Sequence, residues 1–121
     1  MKLRIKGNSI RLRLSKSEVE KLSEEGIVKE QTNFANVSFT YSIKKETNGN
    51  DIKVDFKKNE LSILISEHLI KEWPENDIIS FDNRLADGSF PELYVLVEKD
   101  FKCIDNSTED QGDNYENPKT C

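Results

Sequence analysis

This 121-residue chain predicts an α+β architecture, a mainly antiparallel sheet with two short helices, on three observations. The opening MKLRIKGNSIRLRL alternates apolar and polar residues on both sides of Gly7-Asn8, a dipeptide suited to a two-residue turn with positive φ. A capping box, Ser15 with Glu18, follows at once and is closed by Gly26. Two further turn dipeptides, Asn48-Gly49 and Lys58-Asn59, separate alternating stretches whose apolar residues then fall on one face.

Taken in order, the first hairpin pairs Lys6 with Ser9, Ile5 with Ile10, Arg4 with Arg11, Leu3 with Leu12 and Lys2 with Arg13. Every apolar residue meets an apolar one, and the cations share the opposite face. The spacing of Val19 and Leu22 gives a short helix over 16–25. A three-strand meander comes next. Asn48-Gly49 pairs Ile43 with Val54 and Tyr41 with Phe56. Lys58-Asn59 pairs Lys57 with Glu60, Phe56 with Leu61, Val54 with Ile63 and Ile52 with Ile65. Val37, Phe39, Tyr41, Ile43, Ile52, Val54, Phe56, Leu61, Ile63 and Ile65 then line one face.

Ser66 caps a second helix carrying Leu69, Ile70 and Trp73, which Pro74 ends. Strands over 77–82 and 92–98 follow, joined by the loop NRLADGSFP. LYVLV is apolar on both faces, as a central strand would be. The expected order is ββα-βββ-α-ββ, about seven strands, with helices on one face. No internal repeat is evident. Residues 1–99 are expected to form a single domain and 100–121 an acidic extension.

Charge divides the same way. The net charge of −5 argues against bulk nucleic-acid affinity, so nucleic acid is not an expected partner. Yet residues 1–16 carry six cations and no acid, and residues 100–121 carry six acids against two lysines. No stretch approaches the roughly 18 apolar residues of a membrane span. Charges interrupt the N-terminal stretch where a signal peptide needs an apolar run. A soluble, cytoplasmic protein with reduced cysteines is the expectation, so the sequons at Asn36 and Asn106 carry little weight.

The candidate site is the cationic face of the first hairpin: Lys2, Arg4, Lys6, Arg11 and Arg13. Arginine opposite arginine is unfavourable on a ladder, and such a row can receive phosphate, a carboxylate ligand or an acidic protein segment. It can equally be a solvated face whose long stems cover apolar surface. The acidic extension is one anion within reach, expected to lie ordered across Arg4, Arg11 and Arg13.

The other candidates are weaker. Asp105, Ser107, Glu109, Asp113 and Glu116 have calcium-loop spacing, but Asp110 stands where that loop needs glycine. Cys103 and Cys121 lack a CxxC partner and a nearby histidine, so zinc is not expected. His68 reads as a surface helix residue one turn before Glu72. No catalytic residue, metal or cofactor is assigned. An enzymatic alternative makes Lys2, Arg4, Arg11, Arg13, Lys53, Asp55 and Glu98 the lining of a polar tunnel that processes phosphate with a divalent metal. Another alternative is oligomerisation through an exposed edge strand over 37–45. A monomer or a homodimer fits either reading.

KLRIKGNSIRLRLSKSEVEKL, with the distant VEKDFKC and DNYENP, resembles a family of small uncharacterised bacterial proteins. The similarity spans the chain, most clearly at 1–27 and 97–121. It implies a stand-alone soluble protein whose extension is a regular part of the chain, and it assigns no functional residue.

Overall fold

The computed structural model describes residues 1–49, 51–86, 88 and 91–101. Eight strands form two four-stranded sheets around one apolar core. The first hairpin, β1 (Lys2–Lys6) and β2 (Ser9–Leu14), has the expected register at all five pairs. Gly7 turns it with φ 54° and has nothing within 4 Å of where a Cβ would stand. Helix α1 (Lys16–Glu25) begins with the expected reciprocal Ser15–Glu18 box and ends at Gly26 with φ 81°.

Sequence reading missed the next strand, β3 (Ile27–Asn33). It pairs antiparallel with β4 (Ser38–Glu46), which makes eight strands where about seven were expected. Its IVKEQTN is apolar only at its start, so alternation gave little signal. β5 (Lys53–Lys57) and β6 (Glu60–Ser66) form a hairpin with the expected pairs Lys57–Glu60, Phe56–Leu61 and Val54–Ile63. Lys58 and Asn59 both take positive φ.

The meander, however, does not form. β4 runs parallel to β6, with Tyr41 beside Leu61 and Ile43 beside Ile63, and β5 lies on the far side of β6. Asn48-Gly49 belongs to a crossover, held where the Ser66 hydroxyl donates to the Gly49 carbonyl at 2.6 Å. Alternation fixed which face each side chain takes, and that assignment holds for Ile43, Ile52, Leu61, Ile63 and Ile65, all buried. It carried no information about which strand is the neighbour. Val37 and Phe56 are exposed. β4 is an interior strand, so the edge expected over 37–45 does not exist.

Helix α2 is short (Glu67–Ile70), and its cap position is Ser66 without a side-chain capping bond. Pro74 sits within a following 3-10 turn, Trp73–Glu75, instead of simply ending the helix. Trp73 is fully buried, edge-on to Phe81 at 5.0 Å, and its indole N–H donates to the Ile78 carbonyl at 2.7 Å. β7 (Ser80–Leu85) and β8 (Leu93–Lys99) close the first sheet. β8 is central, as LYVLV predicted, and runs parallel to β2. The sheet orders are β1-β2-β8-β7 and β3-β4-β6-β5.

The chain is an internal repeat, contrary to the sequence reading. The unit ββαββ occurs twice, each copy giving one hairpin to each sheet. A shift of 51 carries β1, β2 and Ser15 onto β5, β6 and Ser66: Lys2 onto Lys53, Ser9 onto Glu60. A shift of 54 carries β4 onto β8, because Thr40 lies beside Glu60 as Tyr94 lies beside Ser9. The bonds repeat as well. Thr40 N–H donates to Asn59 at 3.0 Å and Tyr94 N–H to Asn8 at 3.1 Å; Lys45 donates to Gly26 at 2.8 Å and Lys99 to Ile79 at 2.9 Å. Even an ion pair recurs, Lys53–Glu46 at 3.2 Å and Lys2–Asp100 at 3.0 Å.

Candidate functional site: the outer face of the first sheet

Strand alternation sends Ile10, Leu12, Leu14, Val95 and Val97 into the core and their neighbours outward. The ladder registers then set three rows across the outer face of β1-β2-β8-β7. They read Lys2, Arg13, Glu98, Ser80; Arg4, Arg11, Leu96, Asp82; and Lys6, Ser9, Tyr94, Arg84. All five residues expected from sequence lie here. So do all four arginines of the chain, since Arg84 joins Arg4, Arg11 and Arg13.

Glu98 sits among the cations. Its Oε1 accepts from Arg13 Nε at 3.0 Å and lies 3.5 Å from Arg11 Nε. Lys2 pairs with Asp100 at 3.0 Å, and neither Arg4 nor Arg11 is without an interaction partner. Across β8, the Tyr94 hydroxyl donates to Asp82 at 2.9 Å. Burial, reinforced by that carboxylate, raises the Tyr94 pKa above its ordinary value. The Arg84 guanidinium lies 4.9 Å from the centre of the Tyr94 ring and pairs with Glu92 at 3.2 Å. The Asn8 side chain ties the hairpin tip to the Glu92 carbonyl at 2.7 Å.

The repeat supplies an internal reference. At equivalent positions the outer face of the second sheet carries Asp55 for Arg4, Ser62 for Arg11 and Leu64 for Arg13. That face has lysines but no arginine. At its centre Glu60 accepts from Ser42 and Ser62 and pairs with Lys44 at 3.2 Å. The Lys44 contact, set against partial burial, lowers the Glu60 pKa. The inner positions kept their character: Leu12 and Ile63, Leu14 and Ile65, and Leu22 and Trp73 are buried pairs.

A family model for DUF7009, a family of unknown function, matches residues 1–119. The chain belongs to this family. Comparison with curated proteins and with solved structures finds no match. Membership of DUF7009 therefore brings no residue roles, and the site rests on its own geometry.

Other expected sites fare differently. The tunnel residues do not converge: Lys53 and Asp55 lie on the second sheet, Arg11, Arg13 and Glu98 on the first, and the space between the sheets is apolar core. Among the described residues no group of three or more His, Cys, Asp or Glu could hold a metal ion. His68 Nδ1 is 2.6 Å from Ser66 Oγ, but Ser66 is buried and also lies 2.6 Å from the Gly49 carbonyl, as a hydroxyl that ties the crossover to the helix start does. An open cleft of about 310 Å³ beside Ile52 and Phe81 is lined by Asp51, Asp82 and Ser80, with no cation to complete a site. Among the described helices none is long and apolar enough to cross a membrane. Cys103, Cys121, the calcium-like spacing and the expected course of the acidic extension lie outside the described residues.

Sequence reasoning missed Arg84, Tyr94 and Asp82. Arg84 was assigned to a loop, and LYVLV was read as buried on both sides. The loop assignment hid Arg84, and reading LYVLV as buried on both sides hid the outward alternation of Tyr94 and Leu96.

Proposed function

We propose that this protein is a binding module that captures an anionic partner on the outer face of its first sheet, without bond chemistry. The observation that carries the reading is the gathering of all four arginines of the chain on that one face. Arginine presents a planar fork of donors that matches carboxylate and phosphate oxygens, and it stacks on aromatic rings; lysine does neither as well. Solubility alone would be served by lysine, which the rest of the surface uses. The Glu98 carboxylate between Arg11 and Arg13 is an internal example of the group this face accepts.

The test is charge reversal of Arg4 and Arg11 together. The double variant should unfold cooperatively yet bind anions about tenfold or more weakly, read by titration with inorganic triphosphate and with an acidic peptide. A double variant that gains stability and loses no binding would overturn the reading.

A further inference from the structure

Among the described residues four strands lie at sheet edges: β1, β3, β5 and β7. Each leaves alternate backbone N–H and C=O groups without a ladder partner among those residues. β1 differs from the others in the side chains that flank this row. Its outer face is wholly cationic (Lys2, Arg4, Lys6), and its inner face carries Leu3 and Ile5, with Ile5 59% exposed. The equivalent edge, β5, interrupts Lys53 and Lys57 with Asp55. β7 carries Asp82, and β3 carries Glu30.

A two-residue hairpin turn is flanked by a hydrogen-bonded pair, here Lys6 with Ser9. Alternation then makes Arg4–Arg11 and Lys2–Arg13 the other bonded pairs. The amides of Leu3 and Ile5 point away from β2, toward the open edge.

Resting on the anion-binding reading, we propose that the partner is an extended acidic protein segment that joins β1 as a fifth strand. Its backbone meets the Leu3 and Ile5 amides. Its acidic side chains, at alternate positions, fall beside Lys2, Arg4 and Lys6 and extend each row by one opposite charge. Its intervening apolar side chains cover Ile5. The row of like charges that disfavours pairing with a second copy of β1 becomes complementary when the added strand is acidic. Arg4 and Arg11 already hold interaction partners, so the incoming carboxylates add to or displace these contacts; the selectivity rests on the edge amides and the sign of the whole row.

The experiment uses the full chain and two synthetic peptides. One alternates Glu and Val; the other has the same charge but proline at the Val positions, so that it cannot add as a strand. The alternating peptide should slow amide exchange at Leu3 and Ile5 by about tenfold or more and leave Val54 and Phe56 unchanged. Ile5→Pro, which removes an edge N–H but no β1–β2 bond, should weaken the alternating peptide by about tenfold while unfolding stays cooperative. Peptide binding without slowed exchange at Leu3 and Ile5, or equal binding of both peptides, overturns strand addition while anion capture stands. Slow exchange of these amides before any peptide is added overturns the external partner, because the chain itself then occupies the edge. If charge reversal of Arg4 and Arg11 leaves both peptides and triphosphate bound as before, it is anion capture that fails.

Discussion

Glu18 shows how much one side chain can carry in this protein. One carboxylate oxygen accepts from the Ser15 backbone N–H at 2.8 Å, completing the helix cap, and the other takes the α-ammonium of Met1. Burial alone would raise its pKa, but the hydrogen bonds from the ammonium and from Ser15 outweigh it, and the carboxyl is held below its ordinary 4.5. Glu30 shares the ammonium and accepts from the Tyr41 hydroxyl at 2.9 Å; burial and then that carboxylate raise the Tyr41 pKa. The sign for Glu18 follows from linkage. A group depressed in the folded state contributes stability above its unfolded pKa and loses it as pH falls through the folded one. Wild type should therefore exceed Glu18→Gln in Tm most at neutral pH, and the gap should close as pH drops below 4.5. A gap that stays constant from about pH 7 to about pH 3 would contradict this. The capping half of the role was legible in the local spacing of Ser15 and Glu18. The ammonium contact was not, because it joins segments that only tertiary folding brings together.

The hairpins at Gly7-Asn8 and Lys58-Asn59 were legible, since turn residues and alternation fix their register together, whereas the same kind of signal at Asn48-Gly49 marked a crossover. In the first, both signals agree, and Gly7 isolates the backbone part of the energy. A Cβ there would meet nothing within 4 Å, while φ is 54°. Gly7→Ala should cost about 1–2 kcal/mol from the left-handed conformation alone, measured as a shift of the urea midpoint at constant m. A neutral result would mean that the turn relaxes to another type. What alternation could not supply was strand neighbours: the parallel β4–β6 and β2–β8 ladders join strands with no turn between them. The repeat was written in the sequence all the same. Lys2, Lys6, Asn8 and Ser15 recur as Lys53, Lys57, Asn59 and Ser66 around the same apolar alternation. It is hard to see because the outward residues between them have diverged, and those are the residues that separate the arginine face from its arginine-free counterpart.

Taken together, the two repeats are interlocked, since neither contributes both hairpins of any one sheet. Neither can leave without opening both sheets and the shared core. A single cooperative transition is expected, and damage in either repeat should be felt in both. Leu12 and Ile63 are equivalent, fully buried residues of the first and second repeat. Leu12→Ala and Ile63→Ala should each cost about 2–5 kcal/mol. Trp73, the only tryptophan, lies in the second repeat and reports the event. Its fluorescence transition should move as far for Leu12→Ala as for Ile63→Ala and should coincide with the loss of circular dichroism. Separate transitions would mean that the repeats are independent.

The ladder from Ser9–Tyr94 to Leu14–Lys99 also has a consequence for the ribosome. β2 emerges early in synthesis, but its parallel neighbour is nearly the last strand made. At roughly 5–20 residues per second, β2 waits several seconds for the ladder partner of Ile10, Leu12 and Leu14. Ser9, Arg11 and Arg13 alternate with these apolar residues along β2, and charges placed so oppose aggregation of an exposed strand. The same row of charges thus bears on the unfinished chain as well as on the finished one.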